Sequence, residues 1–355
     1  MPTTTQHPPV RMAIAGMSHG HVNWILRSLQ RDNLEIVGFW EPNRALAERY
    51  AAQYNFPLDL VYADLDAMLD ATEPEAVCAF GSIYEHLQVV EACAPRKIHV
   101  MVEKPLAVNM EHAEQMATLA RTHGIHLLTN FETTWYATTY EAYRLAVTEA
   151  TLGPIRKVVV HDGHWGPQEI GCNAEFLAWL TDPVLNGGGA VVDFGCYGAN
   201  LMTWLMGGAE PLMVTAVLQT LKPDIYPNVD DDATIILTYP QTQAIIQGSW
   251  NWPVGRKDME IYGTHGYLVA VDALNLRLRQ RGDATETAQT LPPAPDHIRD
   301  PFNYLAAVVR GAETVTPGNL WSLENALTTV KILDAARQSA QEGRTVQLTQ
   351  GTFEA

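Results

Sequence analysis

The chain has 355 residues, 47% of them hydrophobic and 18% charged, which is enough to bury two domain cores and too apolar for a disordered protein. A formal net charge of −17 excludes a nucleic-acid partner, which needs a basic face, and no basic run marks a membrane surface. No apolar stretch approaches the ~18 residues that a spanning helix requires, so no membrane partner is expected.

Residues 1–9 lack both a charged start and an apolar core segment, so they read as a loose arm rather than a secretory signal. Cys78, Cys93, Cys172 and Cys196 are scattered and without C-x-x-C spacing, which predicts reduced core thiols in a cytoplasmic protein.

Val10 to Gly16 is a short apolar run closing on glycine, and helical spacing follows from Val22 to Leu29. The turn between them, Gly16-Met-Ser18-His19-Gly20-His21, keeps the first glycine of G-x-G-x-x-G but has Ser18 and His21 at the second and third positions. A helix N-terminus there still offers N–H groups to a pyrophosphate, and the side chains of Ser18 and His19 can donate as well. Gly16, Ser18, His19, Gly20 and His21 are therefore candidate dinucleotide contacts. Glu35 to Glu41 reads as the second strand, with Glu41 about twenty residues beyond the glycine turn, where an acid accepts hydrogen bonds from an adenosine ribose. This favours NAD, while Arg44 could pair with a 2′-phosphate and keeps NADP possible.

A helix from Arg44 to Tyr54 precedes a strand from Ala76 to Gly81, after which Gly81, Ser82 and His86 open the helix Leu87 to Ala94. The next apolar run, from Lys97, stops on Glu103-Lys104-Pro105, whose proline holds the lysine backbone extended. A helix begins near Asn109, and Ile125 to Asn130 is the last strand of the series. Strands alternating with helices imply a doubly wound parallel sheet, with ligands at the carboxyl ends of the strands. Gly16, Glu41, Gly81, Ser82, Lys104 and Asn130 all fall at such ends, which makes Lys104 the leading candidate for chemistry. Glu103 would hold the lysine and the strand end in place.

Residues 1–129 thus read as a dinucleotide-binding domain and 130–355 as a substrate-binding and oligomerisation domain. The second part opens with Phe131-Glu132-Thr-Thr-Trp135-Tyr136, a helix from Tyr140 to Glu149 and a strand from Ile155 to Val160 that runs into His161-Asp162-Gly-His164-Trp165. Glu132, Trp135, His164 and Trp165 are candidate substrate contacts. No metal is expected, since His161 and His164 have no partner motif. Gly187-Gly188-Gly189 precedes Asp193 and Tyr197, four apart on a helix and so on one face. The spacing predicts that Asp193 orients Tyr197 while a nearby lysine lowers its pKa, so that the phenol exchanges a hydroxyl proton.

Strands from Pro211 to Leu221, Thr234 to Tyr239, Gln243 to Trp250, Met259 to Gly263 and Tyr267 to Val271 predict an antiparallel sheet. Its second face must be covered, which predicts a homodimer or homotetramer. Asp230-Asp231-Asp232 reads as a solvated turn. Helices open at Asp300 and run from Leu320 to Gln341, the latter packing back toward the first domain.

The glycine turn, Glu103-Lys104-Pro105 and Gly187-Gly-Gly-x-x-x-Asp193-x-Gly-x-Tyr197, in that order, resemble the Gfo/Idh/MocA oxidoreductase family. The likeness covers nearly the whole chain, including Ser322-Leu-Glu-Asn and Ala335-Ala-Arg-Gln-Ser339 of the last helix. It implies an N-terminal Rossmann sheet followed by an α+β domain with a large open, mostly antiparallel sheet. It also implies a nicotinamide-dependent dehydrogenase or reductase acting on a CH–OH group of a sugar, polyol or related substrate. Lys104 matches the family's catalytic lysine, Asp193 its aspartate, and Tyr197 the position that is tyrosine in the glucose-fructose oxidoreductase type of branch and histidine elsewhere. Tyr197 would exchange the proton and Lys104 assist. Two rival readings are a redox-neutral NAD-dependent glycosidase of the same fold and a non-catalytic sensor of dinucleotide or sugar.

Overall fold

The computed structural model describes residues 8–295 and 298–348, so most of the expected N-terminal arm lies outside the described residues. The first half alternates β1 (Val10–Ala15), α1 (Val22–Leu26), β2 (Leu34–Trp40), α2 (Arg44–Tyr54), β3 (Val61–Tyr62), α3 (Leu65–Thr72), β4 (Ala76–Ala79), α4 (His86–Cys93), β5 (His99–Glu103), α5 (Met110–His123) and β6 (Leu127–Asn130). The strands form one parallel sheet in the order β3-β2-β1-β4-β5-β6. β4 is buried along its whole length, as a strand covered by helices on both faces must be. β3 has only two residues, too few for a periodic signal, and neither it nor α3 was foreseen. α1 stops at Leu26, a turn short of the expected Leu29.

The order reverses between β1 and β4, and the loops after these strands meet there. The Phe80 amide donates to the Ala15 carbonyl at 2.7 Å, and the His19 amide donates to the Phe80 carbonyl at 2.8 Å. Gly16 has φ +77°, and a Cβ on it would lie 2.6 Å from the Gly81 nitrogen, so only glycine fits this crossing.

The second half comprises α6 (Ala137–Tyr143), β7 (Ile155–Gly163), α7 (Ala174–Leu180), α8 (Ala190–Asp193), α9 (Gly195–Leu205), β8 (Met213–Gln219), β9 (Asp232–Thr238), β10 (Gln243–Ser249), β11 (Arg256–Gly263), β12 (Gly266–Ala270), β13 (Asn275–Gln280), β14 (Thr287–Thr290), α10 (Pro301–Val309), α11 (Leu323–Glu342) and β15 (Val346–Gln347). Nine strands form one sheet, β14-β13-β12-β11-β7-β10-β9-β8-β15, antiparallel except where β7 pairs with β10. The expected strands are present, and β13, β14 and β15 extend the sheet beyond them.

α9 and α11 cover one face of this sheet, and α11 also touches α5 and β6, which ties the two sheets together. On the other face, Thr215, Ile236, Ile245 and Val159 fall in one row across four strands, all partly exposed, while Glu260 and Val269, the next two in that row, line a cleft.

The three aspartates are not a solvated turn. Asp231 is fully buried and accepts from the Leu221 and Lys222 amides, while both Asp230 oxygens accept from the Gly189 and Val191 amides. Each carboxylate serves a chain turn that has no other acceptor.

Candidate active site

β5 carries Lys104 out of the parallel sheet beneath α8 and α9. The residue is 5% exposed, and its Nζ donates to the carbonyl of Asp193 at 2.7 Å and to Asp193 Oδ1 at 2.5 Å. An ammonium has three donors, so one remains for a ligand. Trp250 Nε1 donates to Asp193 Oδ2 at 2.9 Å, which fixes the carboxylate from the other side. The glycine run makes this possible, because a Cβ on Gly189 would lie 1.8 Å from the Asp230 carbonyl oxygen. Burial alone would lower the lysine pKa, but the neighbouring Asp193 more than reverses it, and the net shift is upward. For Asp193 the senses are opposite: burial raises, the ammonium wins, and the carboxyl stays ionised.

Tyr197 lies one turn on, fully buried along its ring, with Lys104 Nζ 5.0 Å and Lys257 Nζ 4.6 Å from the ring centroid. Its hydroxyl makes no hydrogen bond among the described residues, and the residue lines the cleft. Two expectations fail here. Asp193 orients Lys104 and not Tyr197, because Phe194 breaks the helix between α8 and α9. Nor is the phenol pKa lowered: burial and then the carboxylate of Glu132 raise it well above the usual value.

Lys257 escaped the sequence reading, because a lysine in a strand carries no motif. It sits opposite Asp162 in the β7–β11 register and forms an ion pair with Glu132. Burial pushes the Glu132 carboxyl up, but Lys257, His21 and the Tyr136 hydroxyl together outweigh it and hold it near 2.

On the Rossmann side, His21 Nδ1 lies 3.0 Å from Glu103 Oε2, and its Nε2 is 3.9 Å from Glu132. Glu103 also accepts from Asn130 at 2.6 Å and from the Lys104 amide at 3.3 Å. His19, His21 and Glu103 cluster closely enough to suggest a metal. However, His19 Nδ1 accepts the His21 amide at 3.0 Å, so in the neutral ring Nε2 carries the proton and is no ligand. Burial lowers the His19 pKa well below its usual value, which keeps that ring neutral.

The turn fits a dinucleotide. The amides of Ser18 and Gly20 donate to no acceptor among the described residues, and a Cβ on Gly20 would meet nothing within 4 Å. Free N–H groups in an open turn are what a pyrophosphate needs. Glu41, at the end of β2, accepts from the Met17 and Asn43 amides at 2.8 Å each, and its oxygens keep lone pairs for a ribose.

Between the two sheets lies a cleft of about 790 Å³, reached by His19, Gly20, His21 and Lys104 from one side and by His164, Asp193 and Tyr197 from the other. The Nδ1 of His164 accepts the Gly166 amide at 2.9 Å, which leaves Nε2 as a donor. Burial lowers its pKa, so the ring is neutral.

Other expected contacts lie elsewhere. His86 is fully buried, with Nδ1 3.0 Å from the Leu106 carbonyl. Trp135 bonds Asn130 Oδ1 at 2.8 Å and stacks on Trp321, so Trp135 and Asn130 support the strand end rather than face a ligand. Ser82 is bonded to Glu85, behind Gly81, and Arg44 is exposed and paired with Glu48. Trp165 is 45% exposed and outside the cleft lining, and Glu132 acts behind Lys257. Three of the four cysteines are buried as expected, but Cys172 lines the cleft.

Two sequence models of one family match this chain in tandem: residues 10–131 match the oxidoreductase family with an NAD-binding Rossmann fold, and residues 140–269 match the GFO/IDH/MocA C-terminal domain. The chain belongs to the Gfo/Idh/MocA oxidoreductase family. Like its relatives in that family it is a dehydrogenase or reductase. The trans-1,2-dihydrobenzene-1,2-diol dehydrogenase of Bos taurus is 26% identical over 79% of each chain. That of Sus scrofa is 25% identical over 82% of this chain and 81% of its own. The aldose-aldose oxidoreductase of Caulobacter crescentus, solved with glycerol, shares the fold with a TM-score of 0.80 at 23% identity, covering 96% of this chain and all of its own. An inositol dehydrogenase homologue of Azotobacter vinelandii, solved with NAD+, gives 0.81 at 18% identity, covering 96% and 98%.

Proposed function

We propose that this Gfo/Idh/MocA protein is an NAD-dependent dehydrogenase acting on a carbinol carbon of a sugar, polyol or related hydroxylated substrate, with NADP as the less favoured cofactor. The observation that carries the reading is the Lys104–Asp193 pair at the floor of the cleft, with the Tyr197 hydroxyl open beside it. The third donor of Lys104 holds the reacting oxygen, and Tyr197 exchanges its proton. His164 Nε2 donates to a neighbouring hydroxyl, and the paired Asp193 keeps the lysine charged and aimed. The bound nicotinamide supplies the hydride acceptor or donor. Gly16, Ser18, His19, Gly20, His21, Glu41 and Gly81 form the dinucleotide side.

Purified protein incubated with NAD or NADP and a panel of sugars, polyols and aryl glycosides should reduce the cofactor. Aglycone released without net reduced cofactor would overturn the dehydrogenase reading in favour of a glycosidase. Lys104→Met and Tyr197→Phe should each cut turnover by about a hundredfold or more, Tyr197→Phe at unchanged melting temperature and Lys104→Met at a lowered one, because Asp193 is left buried and unpaired. Near-normal rates in both would remove these residues from the mechanism.

A further inference from the structure

The cleft is two-sided in character. The segment from 165 to 180 contributes Pro167, Ile170, Cys172, Phe176 and Leu180, with no charged group among them. Ile170 remains 41% exposed, an apolar side chain left at the mouth where hydrogen-bonding groups would serve a free sugar better. The other wall, from β11 to β13, is charged but internally satisfied. Lys257 pairs with Glu132, Arg256 with Asp258 and Arg277 with Glu286, while Lys104 on the floor pairs with Asp193. Every lysine and arginine that lines the cleft thus faces a protein carboxylate. A phosphate or carboxylate on the substrate would meet cations whose charge a protein carboxylate already balances, so it gains little attraction for the desolvation it costs. At about 790 Å³, the cleft lies in the upper part of the ~300–1,000 Å³ range of small-molecule sites, a volume that the nicotinamide end of the cofactor and the substrate share.

We propose that the substrate is an uncharged hydroxylated ring bearing an aryl or alkyl substituent. The ring presents its carbinol to Lys104 and Tyr197, and the substituent lies along Pro167, Ile170 and Leu180. The inference rests on the dehydrogenase reading for the carbinol end only; the apolar wall stands on its own residues. Burial of apolar area then adds affinity that a free sugar cannot gain.

Titration calorimetry on the protein saturated with NAD+ tests it, using methyl and phenyl β-glycosides of glucose, galactose and mannose as matched pairs. For at least one ring, the phenyl member should bind about tenfold tighter than the methyl member. Ile170→Asp, at an exposed position, should reduce that ratio to below about threefold. Equal affinities within every pair would overturn the proposal, because the wall is then occupied by the dinucleotide. Tighter binding of glucose 6-phosphate than of any neutral ligand would overturn it equally. A phenyl glycoside that binds tightly yet yields no NADH would leave this inference standing and refute the dehydrogenase reading instead.

Discussion

At the scale of single residues, two ammonium groups flank one phenol, yet its pKa moves upward. Both cations are already engaged by carboxylates, Lys104 by Asp193 and Lys257 by Glu132, so burial and Glu132 decide the sign. Tyr197 is therefore a protonated donor at neutral pH, suited to returning a proton during carbonyl reduction. Oxidation needs the phenolate, whose population rises about tenfold per pH unit below the pKa. The initial rate of NAD+ reduction should accordingly climb by about that factor per unit to at least about pH 9, while carbonyl reduction stays flat from about pH 6 to 9. A plateau in oxidation near pH 7 would exclude Tyr197 as the titrating group. Lys104, Asp193 and Tyr197 were legible in the sequence as types at a spacing. Lys257 was not, because its relevance comes from a strand that passes Tyr197 only after the large sheet has closed on α9.

At the scale of elements, the glycine run and the aspartates behind it work as one device. α8 has four residues, too short to hold itself, and Asp230 satisfies the amides of Gly189, just before it, and of Val191 through both carboxylate oxygens. Asp230→Ala should lower stability by about 1–2 kcal/mol. Because α8 carries Asp193 at its end, the same substitution should also lower turnover about tenfold through misplacement of Lys104. Differential scanning fluorimetry and steady-state rates check the two effects, and a stability loss without a rate loss would show that Trp250 and Lys104 hold Asp193 without help from Asp230. Strand ends and glycine turns could be read from the sequence because they obey local backbone rules. The role of Asp230-Asp231-Asp232 could not: three adjacent acids look solvated until distant amides arrive to be satisfied.

At the scale of the whole molecule, the outward face of the nine-stranded sheet is partly exposed across β8, β9, β10 and β7. Its middle row is apolar, with Val159, Ile236 and Ile245 side by side, and Val217 on β8 is 60% exposed. A second copy of the chain is the proposed cover. Sedimentation velocity should give a dimer or tetramer, and Val217→Lys should shift it toward monomer at low micromolar concentration. A wild-type monomer at that concentration would end the proposal.

The sequence by itself determined the alternation of strands and helices, the strand-end position of Lys104, and the order of motifs that marks the family, since each depends on residues near one another in the chain. It did not determine which of the polar residues at those ends face the ligand. His86, Asn130 and Trp135 were equal candidates with His21 until packing turned the first three inward. Only the tertiary structure decided that Asp193 belongs to Lys104 and that Tyr197 holds its proton tightly. Those outcomes depend on desolvation and on charges brought together from distant parts of the chain, Lys104, Glu132, Asp193 and Lys257, which no local pattern encodes.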